Sequence, residues 1–218
     1  MELPFTERQF FDVFVRYNES LGLLPFVIWG GGAVLAGFFF WLRPIRNAWI
    51  VWFLDAIWLI NAVGYHLGSF WVINPAAPGF AGLFFLEAIA FGTAAVTAKD
   101  DLFPQRGWVH YALSLSCVVF SLILYPVWMT LIGRGYPSMP VFGVAPCPTT
   151  IFTIGILIMM RSPHREWLFV LPLIWAVVGG SAAISLGVPP DYFLWVAGLA
   201  GFVVLMTDRL AYSEPRAP

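Results

Sequence analysis

Charge is what this sequence has least of. Of its 218 residues only 11% are Asp, Glu, Lys or Arg, against roughly a quarter in an ordinary soluble domain. Folded in water, a chain that is 60% hydrophobic and 18% aromatic would leave large apolar patches exposed. That excludes a soluble enzyme or a soluble binding module. Lysine occurs once, at Lys99, and the formal net charge is −1. Without a basic face to neutralise phosphates, no nucleic-acid partner is expected. Cysteine is nearly missing too: Cys117 and Cys147 are too few for a disulfide framework, and Cys117 lies in an apolar run, where a thiol behaves as a small hydrophobe. A basic n-region is lacking, since Met1 to Phe5 carry an acid and no small-residue cleavage site follows. The chain is therefore expected to insert whole, as a polytopic protein whose first partner is the lipid bilayer.

What is present in quantity is apolar runs. A bilayer core needs about 20 apolar residues per helix, and seven stretches qualify as candidates: 24–42, 48–67, 80–98, 107–132, 148–160, 166–186 and 191–207. The fifth is short unless residues 141–147, VFGVAPC, also enter the membrane. Pro148 suits a first helical turn, and non-helical backbone at membrane depth survives only where protein buries it or a cavity adjoins it. Ahead of the first run, Thr6 and Gln9 have capping-box spacing. Phe10, Phe11, Phe14 and Tyr17 then share one face, against Arg8, Asp12, Arg16 and Glu19 on the others. This predicts an amphipathic helix that either lies in the outer interface or packs over the mouth of the bundle. The expected fold is all-α: an N-terminal amphipathic interfacial helix in 1–23, a seven-transmembrane-helix bundle in 24–208 and a short cytoplasmic tail in 209–218.

Orientation follows from the positive residues. With seven alternating helices, Arg43, Arg46, Lys99, Arg106, Arg161, Arg165, Arg209 and Arg216 share one side, and Arg8, Arg16 and Arg134 the other. The N-terminus is expected outside and the C-terminus in the cytoplasm. Small residues four apart (Gly32/Ala36, Ala33/Gly37, Gly179/Ala183, Ala197/Gly201) let helices approach closely and could mediate oligomerisation.

An ionisable group inside the hydrocarbon is a functional hypothesis by default, and Asp55 and Glu87 qualify. His66, eleven residues after Asp55, returns to nearly the same face about 16 Å higher. Depth places His66, Glu87 and Cys147 in the outer leaflet, with Asn74, Tyr125, Thr149 and Thr150 close in depth. A thiolate, an imidazole and a carboxylate suit a borderline-soft divalent metal ion. They suit a proton-titrating pocket equally well. Asp55, Glu87, Tyr125, Thr149 and Thr150 form a candidate solute or proton pathway, and the backbone N–H groups at Thr149 and Thr150 could favour an anion. In the fourth run His110, Ser114, Cys117, Ser121 and Tyr125 share a face, and serines in such stripes commonly tie helices together. His110 and His164 are expected to be solvated.

Two segments resemble signatures of a family of uncharacterised bacterial multipass membrane proteins. They are Gly64-Tyr65-His66 through Ile73-Asn74-Pro75-Ala76-Ala77, and Pro146-Cys147-Pro148-Thr149-Thr150-Ile151-Phe152-Thr153. The resemblance implies an integral protein of the bacterial inner membrane and carries no activity with it.

Cofactors are limited by inventory. Retinal is not expected, because the single lysine lies in a predicted cytoplasmic loop. Haem is not expected, because His66 and His110 sit at opposite ends of their runs. Nucleotide is not expected, because no phosphate-binding glycine loop exists. Three readings stay open. One is a small permease or a protein binding a small solute or metal ion in an outward-facing polar pocket. The second is an intramembrane enzyme using His66, Glu87 and Cys147. The third is a non-catalytic membrane subunit or sensor.

Overall fold

The computed structural model describes residues 4–41, 48–97, 102–103 and 106–213, and among them all regular structure is helical. Arg43, Arg46, Lys99 and Arg216, used above for orientation, lie outside the described residues. Helix α1 (Glu7–Leu21) starts at a complete capping box: the Gln9 N–H donates to Thr6 Oγ1 and the Thr6 N–H to Gln9 Oε1 at 2.8 Å. Its apolar face is buried on the bundle. Phe14 stacks on Tyr65 with ring centroids 5.1 Å apart, and Phe10 meets Phe70 edge-on. Asn18 fixes the far end of α1 by donating to the carbonyls of Pro137 and Met139, and Arg134 pairs with Glu7 at 2.5 Å. Of the two placements weighed for this helix, these contacts favour packing over the end of the bundle.

Helix α2 spans Leu24–Trp41 and α3 spans Ala48–Ile60. A wider π-helical turn, Asn61–Leu67, extends α3 before the chain turns into α4 (Ala77–Thr97). Helix α5 (Trp108–Val119) is joined to α6 (Tyr125–Leu131) by a second π segment, Phe120–Leu124. Then come α7 (Pro146–Met159), α8 (Arg165–Leu186) and α9 (Phe193–Ser213). Among the described residues six rods are long and apolar enough to cross a membrane, whereas α7 is apolar but shorter. Helix α7 begins at Pro146, two residues before the expected start, and α9 continues to Ser213.

Helix α7 explains the fold. It has 14 residues, about 21 Å at helical rise, and every residue from Pro148 to Met159 is buried. An all-round apolar helix such as TIFTIGILIM belongs in a core, and α7 packs against α3, α5, α8 and α9. Residues 141–145 ahead of it are buried as well. Their backbone groups are matched by protein: Asn61 Nδ2 donates to the Gly143 carbonyl at 3.1 Å, and the Gly143 N–H donates to Thr149 Oγ1 at 3.0 Å. Gly143 has φ +84°, and a Cβ there would stand 2.3 Å from Ile28 Cγ2. Only glycine suits that corner.

The two ends of α7 are built differently. At its C-terminus, Arg165 Nε donates to the Leu157 carbonyl at 3.2 Å and Arg106 to that of Ile158 at 3.3 Å, so cations cover the last carbonyls. The same arginines converge on Asp208 of α9, Arg165 at 2.6 Å and Arg106 in direct contact, with His110 Nε2 at 3.2 Å. His110 is thus an ion-pair neighbour of Asp208 instead of a solvated side chain, and His164 contacts the Thr97 hydroxyl. The N-terminal end of α7 carries the candidate site.

Candidate functional site

Both π segments serve this end. A π turn inserts a residue into helical register, and such turns recur at functional sites. Asn61–Leu67 places Tyr65 toward α1 and buries His66. Phe120–Leu124 lets Ser121 and Tyr125 both face α7 and α9: Ser121 Oγ donates to the Pro148 carbonyl at 2.6 Å, and Tyr125 reaches Asp191. The predicted stripe in the fourth run is therefore the face that grips α7, with Ser114, Cys117, Ser121 and Tyr125 all buried.

Between α1, the Phe70–Ala76 turn, the start of α7 and the last three turns of α8 lies a cavity of about 560 Å³. Its lining includes a group of aromatic rings, among them Phe10, Phe14, Tyr65, Phe70, Phe80 and Trp175. A largely apolar lining, with polar side chains at Asn74, Cys147, Ser181, Ser185 and Asp191, differs from the polar pocket expected. Of its lining residues, Val177, Val178, Ser181 and Ser185 on α8 are exposed, as are Pro4, Pro75 and Ala76. The polar end is formed by Cys147 and Asp191.

Asp191 went unnoticed in the sequence, where it only marked the start of the last apolar run. Gly187, left-handed at φ 61°, ends α8, and the Pro189–Tyr192 turn then directs Asp191 inward. The residue is 2% exposed. Its Oδ1 accepts the Tyr125 hydroxyl at 2.6 Å, and Cys147 is its other polar neighbour. Among the described residues no Arg, Lys or His forms an ion pair with it. The signal that could have found it was an acid between Pro190 and an apolar run, at the same chain end as Tyr125.

The residues singled out from sequence are dispersed. His66 is fully buried, both ring nitrogens lack partners, and Tyr65, Phe70, Phe80, Phe84 and Trp175 surround it. Cys147 faces Asp191 and Trp175. Glu87 is buried on the α4 face whose Phe84 and Phe91 pack on Trp58, and its Oε1 has no hydrogen-bond partner. Among the described residues no group of three or more His, Cys, Asp or Glu side chains is placed to hold a metal ion. His66, Glu87 and Cys147 thus form no metal-holding group among the described residues: aromatic rings surround the imidazole, and the thiol faces the acid of the Pro189–Tyr192 turn. Asp55 is half-buried with its carboxyl beside Gly92, in the seam between α3 and α4. The π turn between Asp55 and His66 breaks the α-helical register that put them on one face.

Thr149 and Thr150 are buried, but they present no anion site. The Thr149 N–H is directed to the Ala145 carbonyl at 3.4 Å, its hydroxyl donates to the same oxygen at 2.6 Å, and the prolines at 146 and 148 have no N–H. Thr150 Oγ1 has no partner. Of the expected pathway set, only Tyr125 reaches the Asp191 end of the cavity directly.

No curated protein and no solved structure matches this chain. The model of a family of unknown function, DUF6064, matches residues 7–215, so nearly the whole chain is covered and it belongs to that family.

Proposed function

We propose that this protein is a multipass protein of the bacterial inner membrane that binds a small solute in its outward-facing cavity, as a permease or solute-binding protein does. In this reading α7 is a seventh, short crossing. The N-terminus and α1 lie outside, over the mouth of the bundle, and the C-terminus is cytoplasmic. Exposed apolar side chains support the bilayer as solvent: Val34 on α2, Leu86, Ile89 and Val96 on α4, and Leu199 and Phe202 on α9 are all at least half exposed. The alternation of ends is supported by Arg106, Arg165 and Asp208, from the start of α5, the start of α8 and the end of α9, meeting in one cluster.

The observation that carries the functional reading is the cavity of about 560 Å³ ending on a buried acid. Ligand sites are concave and mostly apolar, with a few convergent polar groups and volumes of about 300–1,000 Å³. The opposite end of α7 carries the Asp208 ion-pair cluster, which suits an outward-open binding state. The enzyme reading has less support, because among the described residues His66, Glu87 and Cys147 form no metal-holding group.

The test uses the small apolar photoprobe trifluoromethyl-phenyldiazirine on protein in lipid nanodiscs, with adducts mapped by mass spectrometry. Adducts are expected on Phe10, Tyr65 and Phe70, which lipid cannot reach because each is under 7% exposed. Ala182→Trp, which fills the cavity wall, should remove these adducts and leave those on Leu199 and Phe202. Labelling confined to lipid-facing residues would overturn the reading.

A further inference from the structure

We propose that the cavity takes an amphiphilic cation: a ligand with an apolar body and one ammonium group, the ammonium at Asp191 and the body among the aromatic rings. This rests on the solute-binding reading above and names its ligand class.

Charge carries the inference. The lining is largely apolar and includes aromatic faces, with Asn74, Ser181 and Ser185 as neutral polar side chains and Asp191 as the one carboxyl among its lining residues. That carboxyl is buried, and its polar neighbours, the Tyr125 hydroxyl and the Cys147 thiol, are neutral donors. Among the described residues no cation pairs with it. Burying a carboxylate without a counter-charge costs several kcal/mol, and a ligand ammonium supplies what the protein omits. The same ammonium gains from aromatic faces, whose attraction for cations strengthens out of water; Tyr65, Phe70, Phe80 and Trp175 surround its approach. An anionic ligand would meet the Asp191 charge at a helix start stripped of two N–H groups by Pro146 and Pro148. A neutral solute would leave the carboxyl with the Tyr125 and Cys147 donors and no counter-charge.

Benzyltrimethylammonium and neopentylbenzene form a matched pair, identical in shape and differing by one nitrogen and its charge. Their binding to the full-length protein in nanodiscs is measured by equilibrium dialysis, with empty nanodiscs subtracted. The cation is expected to bind saturably and about tenfold or more tighter than its neutral isostere. Asp191→Asn should reduce cation binding to the level of neopentylbenzene and leave neopentylbenzene unchanged, and Ala182→Trp should abolish both. If the two probes bind wild type equally, or Asp191→Asn leaves cation binding intact, the cationic class is wrong while the cavity stands. If neither probe binds saturably, the solute-binding reading itself falls. Should Asp191→Asn fail to fold, as a melting curve would reveal, the comparison of both probes on wild type still decides.

Discussion

The Tyr125 hydroxyl donates a 2.6 Å hydrogen bond to Asp191, 66 residues away in sequence. The bond ties the π-distorted end of one rod to the turn between α8 and α9, and it sets the closed end of the cavity. Tyr125 is held for this by Phe120, whose ring meets it edge-on and also stacks on Phe193 at 3.8 Å.

Tyr125→Phe keeps the ring and removes the donor to a buried acid. The expected loss of stability is about 1–3 kcal/mol, read as an earlier unfolding transition in mild detergent. Asp191→Asn retains an acceptor for the hydroxyl and should cost less than Tyr125→Phe. A Tyr125→Phe protein as stable as wild type would mean that the bond does not hold the α8–α9 turn.

At the other end, Asp208→Ala strips the shared acceptor from Arg106 and Arg165, whose side chains are 5% and 8% exposed. Leaving buried cations unpaired costs about 3–5 kcal/mol, and the lower figure applies because Asp208 keeps 17% exposure. By contrast, Glu166→Ala loses only a 3.6 Å pair whose side chains are both more than half exposed. It should change stability by under about 0.5 kcal/mol. Equal effects from the two variants would show that the cluster is not a structural lock.

Gly143→Ala is expected to be the costliest of the glycine-to-alanine changes around α7. A left-handed backbone costs an L-residue about 1–2 kcal/mol, and the added methyl would strike Ile28, which adds about 1–3 kcal/mol of overpacking. Gly30→Ala, inside α2 with nothing within 4 Å of its Cβ, should be neutral to stabilising by up to about 1 kcal/mol. The comparison is read from unfolding midpoints of the two variants. A mild Gly143→Ala would imply that residues 141–145 are free to re-route.

Reporter fusions test the orientation. A fusion after Ala77 should report the periplasm and one after Ser213 the cytoplasm. The reversed pattern would place the cavity on the cytoplasmic side.

Local features were legible in the sequence. The Thr6–Gln9 spacing foretold the cap of α1, and the apolar runs foretold the rods to within a few residues. The glycine and prolines of 141–148 pointed to non-helical backbone buried ahead of a short helix. Lateral pairing was not legible. Depth arithmetic put His66, Glu87 and Cys147 in one layer, but depth says nothing about which way a side chain turns. Two π turns shifted the register at the places where facing mattered. Asp191 and Asp208 sit at the ends of the last run, where an acid looks like ordinary boundary polarity; only their partners Tyr125, Arg106 and Arg165, distant in sequence, reveal Asp191 as a buried acceptor and Asp208 as the centre of an ion-pair cluster.

The most direct test of the central claim is the side from which the cavity can be reached. Ser181→Cys, on the exposed wall, is introduced with Cys117→Ala and Cys147→Ala, and a membrane-impermeant trimethylammonium methanethiosulfonate is applied to intact spheroplasts and to inside-out vesicles. The account expects rapid modification in spheroplasts, none in inside-out vesicles, and slowing in spheroplasts when benzyltrimethylammonium is present. Modification only from the cytoplasmic side, or from neither side, would contradict it.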